Sequence, residues 1–173
     1  HSKCSIEAEY SNIVDWSEKN KLSINITKTT EIVFWRTKQA SKKHNIPMIQ
    51  NIERVEHAKL LGVHFVSDMT WSIHLDHVLS KVSQSFYLLN QLKQMKLNIS
   101  GLNTVYRAIS LSQIEYALPV FSGALRQSDI EWINSTVRKA RRRGLTNLDI
   151  NFGNMSERMD RDLFRKTLEH DTV

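Results

Sequence analysis

The hydrophobic positions of the chain change period once. Ahead of Val66 most of them fall in short alternating or clustered runs, and after Trp71 they recur every three or four residues. The first region opens with an exception. Ile6, Tyr10, Ile13, Val14 and Trp16 lie at helical steps, which predicts a helix over 5–19 with one apolar face. Asn20 is a suitable stop, since Asn tolerates the left-handed conformation that ends helices. Leu22, Ile24 and Ile26 then alternate with polar residues and predict a short half-buried strand. A turn over 27–30 and a second strand over 31–36 follow. The polar stretch from Thr37 to Asn45 reads as a loop, and Pro47 to Val55 as one or two short strands. Ala58 to Val66 is the most apolar strand. Gly62 inside it lacks a side chain, the mark of a bulge or a close backbone approach.

In the second region, Leu75, Val78, Leu79, Val82, Phe86, Leu89 and Leu92 form one stripe and predict a helix over 72–96. Ser100 is the expected cap of a second helix with Leu102, Val105, Tyr106 and Ile109 inward, and Pro119 is expected to end or kink it. Ser128 and Glu131 fit a capping box for a third helix. It would bury Ile130, Ile133, Val137 and Ala140 and stop at Gly144. A polar linker over 145–153 leads to a last amphipathic helix, capped by Asn154 with Glu157 and bearing Met155, Met159, Leu163 and Leu168. The fold class this predicts is α+β: a small mixed part over 1–66, then a helical bundle over 67–173.

Composition narrows this little. The 173 residues are 40% hydrophobic and 24% charged, an ordinary globular mix. Two prolines and five glycines fit long regular elements. One cysteine, Cys4, excludes an internal disulfide and suits a reducing, intracellular compartment. No apolar run approaches the roughly 20 residues needed to span a bilayer, so no membrane partner is expected. The net charge of +6 favours an anionic partner, with nucleic acid first among candidates.

The charge is concentrated. Arg138, Lys139, Arg141, Arg142 and Arg143 form the densest basic run, at the end of the third predicted helix. Such a helix end can follow a phosphate backbone, each contact adding salt-dependent affinity. It can also be a nuclear-import signal, or a solvated end whose cations suit the negative helix terminus. Lys38, Lys42 and Lys43 in the polar loop are further candidate phosphate contacts beside the plain reading of a solvated loop. Asp15, Asp68 and Asp76 do not pair in any strand–turn context, so no metal site is assigned. His64, His74 and His77, with Cys4 distant, lack the spacing of a structural zinc site. No nucleophile motif supports hydrolysis.

One ordered set of phrases carries more. Trp16 is followed by Asn20-x-Leu22-x-Ile24-Asn25-x-x-Lys28-Thr29 and Phe34, then by Lys59-Leu60-Leu61-Gly62-Val63, then by Trp71-x-x-His74-Leu75 ahead of the long helix. In order and spacing this resembles the reverse transcriptases of non-long-terminal-repeat, LINE- or jockey-like retrotransposons, over about Ile13 to Ala140. The resemblance implies a partial polymerase palm of short antiparallel strands and one helix, then a thumb-like bundle. It places Lys28 beside the incoming nucleotide, aiding departure of pyrophosphate. It makes Lys59, Leu60, Leu61, Gly62 and Val63 the primer grip. It implies that the family's Tyr-x-Asp-Asp carboxylates lie upstream of His1. Mg²⁺ then belongs to the full-length parent enzyme and no cofactor to this fragment. The implied partners are an RNA/DNA primer–template and the remainder of the polymerase chain, in the nucleus. By itself the fragment is expected not to polymerise. The alternative is a non-catalytic basic helical module that binds nucleic acid or protein.

Overall fold

The computed structural model describes residues 5–35, 46–49 and 51–170. It is mixed α+β, and helix makes up 64% of the described residues. The chain forms two compact units, His1–Met69 and Thr70–Val173.

The first unit opens with helix α1, Ile6–Lys19. Local chemistry is enough to start it: the Ser5 hydroxyl accepts from the Ala8 N–H at 3.2 Å, and Glu7 and Glu9 face the positive end. The helix is the one the periodicity predicts, but its apolar face is largely uncovered. Ile6, Ile13 and Trp16 are exposed, Tyr10 and Val14 are half-buried, and Ser17 is the buried residue. Leu22, Ile24 and Ile26 form no strand. They line a shallow pocket with Tyr10 and Val14, and Ile26–Lys28 is a 3₁₀ turn. A single 3₁₀ turn breaks the alternation before any strand can pair.

Strand β1 is Thr30–Ile32, shorter than predicted, and it pairs with β2, Glu53–Val55. The pairing is parallel, in register Thr30↔Glu53 to Ile32↔Val55, where the palm resemblance implies antiparallel strands throughout. Arg54 holds it from the side. Its guanidinium donates to both Glu31 carboxylate oxygens, at 2.8 and 3.1 Å, and to the carbonyls of Ile46 and Pro47. That bidentate hydrogen bond raises the Arg54 pKa further above its ordinary value.

The expected strand over 58–66 is instead a hairpin. β3, His57–Leu60, runs antiparallel to β4, Val63–Val66, with Leu60 opposite Val63. The two residues between them, Leu61 and Gly62, have φ of 48° and 86°. Two successive left-handed residues make the tight turn whose twist matches a hairpin. Gly62 is therefore a turn residue rather than a bulge.

The second unit is helical. α2, Ser72–Gln94, buries Leu75, Val78, Leu79, Val82, Phe86 and Leu89 as the stripe predicts. Trp71 and His74 are buried at its start against Phe121, ring centroids 5.5 and 4.9 Å away. α3, Ile99–Tyr106, is capped by Asn98, whose side chain accepts from the Gly101 N–H at 2.8 Å; Ser100 lies inside the helix. A π-helical turn over Arg107–Leu111 follows, then α4, Ser112–Glu115. The turn buries Ser110, whose hydroxyl is 2.6 Å from that of Ser85 on α2. The helix breaks at Ala117, φ 55°, and Pro119 falls in the first turn of α5, Leu118–Phe121. Pro119 thus starts a helix, where its missing N–H costs nothing.

The capping box of α6, Gln127–Arg142, is Arg126 with Asp129, two residues before the expected one. Asp129 accepts from the Arg126 N–H at 3.0 Å, and Glu131 pairs with Arg138 instead. Ile133, Val137 and Ala140 are buried, Ile130 is half-buried, and Gly144, φ 65°, ends the helix. The linker is fastened rather than free: Leu145 and Thr146 are buried, and Asn103 on α3 bonds both Thr146 and Asn147. α7, Phe152–His170, begins before Asn154, its first N–H groups bound by Asn134 and Asn151. Phe152 and Met155 are buried and Met159 is half-buried, but Leu163 and Leu168 are exposed, so only the first turns belong to the core.

Candidate nucleic-acid interface

Asn25 organises the turn that presents Lys28. Its carbonyl accepts from the Lys28 N–H at 3.1 Å and from the Thr29 hydroxyl at 2.9 Å, and its side chain accepts from the Thr27 hydroxyl at 2.7 Å. Lys28 is exposed at the end of the turn. In the same unit, the hairpin puts Lys59 and Leu60 on an exposed strand end and Leu61 at the tip, 82% exposed, while Val63 is buried. Lys59 to Val63 is therefore a strand end, a turn and one anchored residue, not a continuous strand. Lys38, Lys42 and Lys43 lie outside the described residues.

The hairpin also holds a contact that the sequence reading missed. His57 and His64 stack with ring planes 5° apart, and the Nε2 of His57 is 2.9 Å from the Nδ1 of His64. The signal was available once Leu61–Gly62 is taken as a two-residue turn, which sets the two histidines diagonally across the strands. The other histidines of the zinc question, His74 and His77, lie in the second unit. Among the described residues no three His, Cys, Asp or Glu side chains gather as a metal site, and Cys4 lies outside those residues. Asp15 is on α1, Asp68 follows β4, and Asp76 is on α2.

The basic run occupies the C-terminal end of α6, with Lys139, Arg141 and Arg142 in its last turn and Arg143 as its cap. All five residues are exposed, with Ala140 buried between them and Val137 buried just before them. Two of the cations have partners: Arg138 with Glu131 at 2.5 Å and Arg141 with Asp149 at 2.9 Å. Both pairs are exposed, so each contributes little. Among the described residues, Lys139, Arg142 and the Arg143 guanidinium have no carboxylate partner. The Arg143 carbonyl accepts from the Lys93 ammonium at 2.6 Å, which adds another cation at the same end.

Beside this end runs an open groove of about 530 Å³, lined by Ser83, Phe86, Tyr87 and Asn90 of α2 with Arg143 and Leu145. Phe86 is buried and Tyr87 is 73% exposed. Tyr87 lies off the apolar stripe of α2. Its signal was an aromatic ring falling between the core positions Phe86 and Leu89, on the solvent side of the helix.

No helix of the described residues is long and apolar enough to cross a membrane. In comparisons with known proteins, no family model, no curated protein and no solved structure matches this chain.

Proposed function

We propose that the chain is the palm-to-thumb portion of an RNA-directed DNA polymerase of a retrotransposon, and that it holds a nucleic-acid duplex without itself carrying out nucleotidyl transfer. The observation that carries this reading is the hairpin tip within the Lys59-Leu60-Leu61-Gly62-Val63 phrase. A leucine in the left-handed region costs on the order of 1–3 kcal/mol. Leu61 bears that cost while 82% exposed, so its side chain returns little through burial. Contact with a bound primer gives this strained, exposed residue a use. Gly62 beside it lets the backbone approach sugar and phosphate closely.

In this reading Lys28 serves the nucleotide side, and the cations at the end of α6 grip phosphates of the duplex. Lys38, Lys42 and Lys43 are further candidate phosphate contacts. Transfer needs a pair of metal-holding carboxylates, which the parent enzyme supplies upstream in its Tyr-x-Asp-Asp hairpin, with Mg²⁺. The nucleus is the expected compartment.

A fluorescence-anisotropy titration with an RNA–DNA primer–template hybrid tests the reading. The folded chain should bind at low salt with little regard for sequence, and should leave the primer unextended with nucleotides and Mg²⁺. Extension by homogeneous protein, or no binding by folded protein, would contradict it. A second reading, a basic module unconnected with polymerases, is favoured by the α6 end alone. It differs in having no Tyr-x-Asp-Asp phrase encoded upstream of His1.

A further inference from the structure

We propose that the groove beside the end of α6 takes an unpaired nucleotide, its base stacked on Tyr87 and its phosphate held by Arg143. This rests on the nucleic-acid reading above and adds a single-stranded element to the duplex grip.

The lining supplies three chemistries side by side. Tyr87 offers an aromatic ring that is 73% exposed, anchored by the buried Phe86 next to it in the helix. Every base has a face that stacks on such a ring. Asn90, one turn further along α2, carries two amide donors and one acceptor, the complement of a base edge. Arg143 is also part of the lining, and its planar guanidinium suits phosphate. A groove of about 530 Å³ falls within the roughly 300–1,000 Å³ range of small-ligand sites.

Charge selects among occupants. Among the described residues no carboxylate lines the groove, and the Lys93 ammonium lies against the Arg143 carbonyl. An apolar helix from a protein partner would bury the Arg143 guanidinium without a counter-charge, which is costly. An acidic peptide would satisfy Arg143 and leave the ring of Tyr87 in water. A nucleotide satisfies both.

The test compares a blunt B-form duplex with the same duplex bearing a three-nucleotide single-stranded overhang, for wild type, Tyr87→Phe and Tyr87→Ala. Wild type should prefer the overhang. Stacking of about 1–3 kcal/mol per base corresponds to roughly a 5- to 140-fold loss of that preference in Tyr87→Ala. Tyr87→Phe should keep it, and blunt-duplex affinity should be equal in all three. Because Tyr87 is exposed, both variants should retain the wild-type Tm. Equal affinity of wild type for both duplexes, or an undiminished preference in Tyr87→Ala, would overturn the groove assignment and leave the duplex reading standing. Failure to bind either duplex would overturn both.

Discussion

The ammonium of Lys93, in the last turn of α2, donates to the backbone carbonyl of Arg143 at 2.6 Å. One helix thereby supplies the cation that the negative end of another requires. Gly144 makes room for it: a Cβ there would lie 2.7 Å from the Lys93 Nζ. The end of α6 is thus capped from outside, and the side chains of Lys139, Arg142 and Arg143 are not needed for that purpose. Like charges held together at a helix end repel, and a polyanion relieves that repulsion.

Leu79 tests the helical core. It is 2% exposed, on the stripe that joins α2 to its neighbours. Leu79→Asp would bury an unpaired carboxylate and should cost at least about 3 kcal/mol. Urea unfolding followed by circular dichroism checks this, and an unchanged midpoint would place the stripe in solvent.

Tyr106 gives the fold a pH dependence. Its hydroxyl is buried with no hydrogen-bond partner among the described residues, and burial pushes its pKa up to about 12, against 10.0 ordinarily. Below pH 10 the folded and unfolded chains both keep the proton, and the contribution is fully present. Between pH 10 and 12 the unfolded chain releases the proton while the folded chain retains it. Stability then falls by about 1.4 kcal/mol per pH unit, about 3 kcal/mol in all. Tyr106→Phe should remove this component and gain about 1–3 kcal/mol at neutral pH by deleting an unsatisfied polar group. Denaturant unfolding of both proteins from pH 8 to 12 measures the difference; parallel curves would mean that the hydroxyl has a partner.

Leu61 should separate stability from binding. Asn-Gly is the favoured pair for this turn, so Leu61→Asn should stabilise the hairpin by up to about 1 kcal/mol. If the exposed side chain touches primer, the same change should weaken binding to a primer–template hybrid several-fold. Higher Tm with unchanged affinity would remove Leu61 from the interface.

These elements were not equally legible. The α2 stripe was plain because seven apolar residues held one period with no competing signal, and Gly144 stopped α6 because its left-handed φ suits glycine. The hairpin was hidden because Leu occupies the first turn position, so the turn sat inside an apolar run. The exposure of the apolar face of α1 and of the end of α7 was not legible, for a different reason. Periodicity shows which residues share a face, but not whether anything covers it, and Ile13, Trp16, Leu163 and Leu168 are exposed. The caps slipped by two residues because Asn98 and Asp129 stood close to equally suitable donors and acceptors. The π turn at Arg107–Leu111 left no trace in the pattern. Of the candidate site, the basic run was visible as sequence. Lys93, Tyr87 and Asn90 were not, since only folding brings α2 beside Arg143.

The most direct test of nucleic-acid binding is the salt dependence of duplex affinity, measured by anisotropy on B-form DNA for wild type and for the triple variant Lys139→Gln, Arg142→Gln, Arg143→Gln. Each phosphate neutralised contributes about −0.9 to the slope of log K against log[salt]. If all three cations grip phosphates, the variant's slope should be shallower by roughly 2.7, with no change in sequence preference. Identical slopes for two folded proteins, or no binding by either at low salt, would contradict the account.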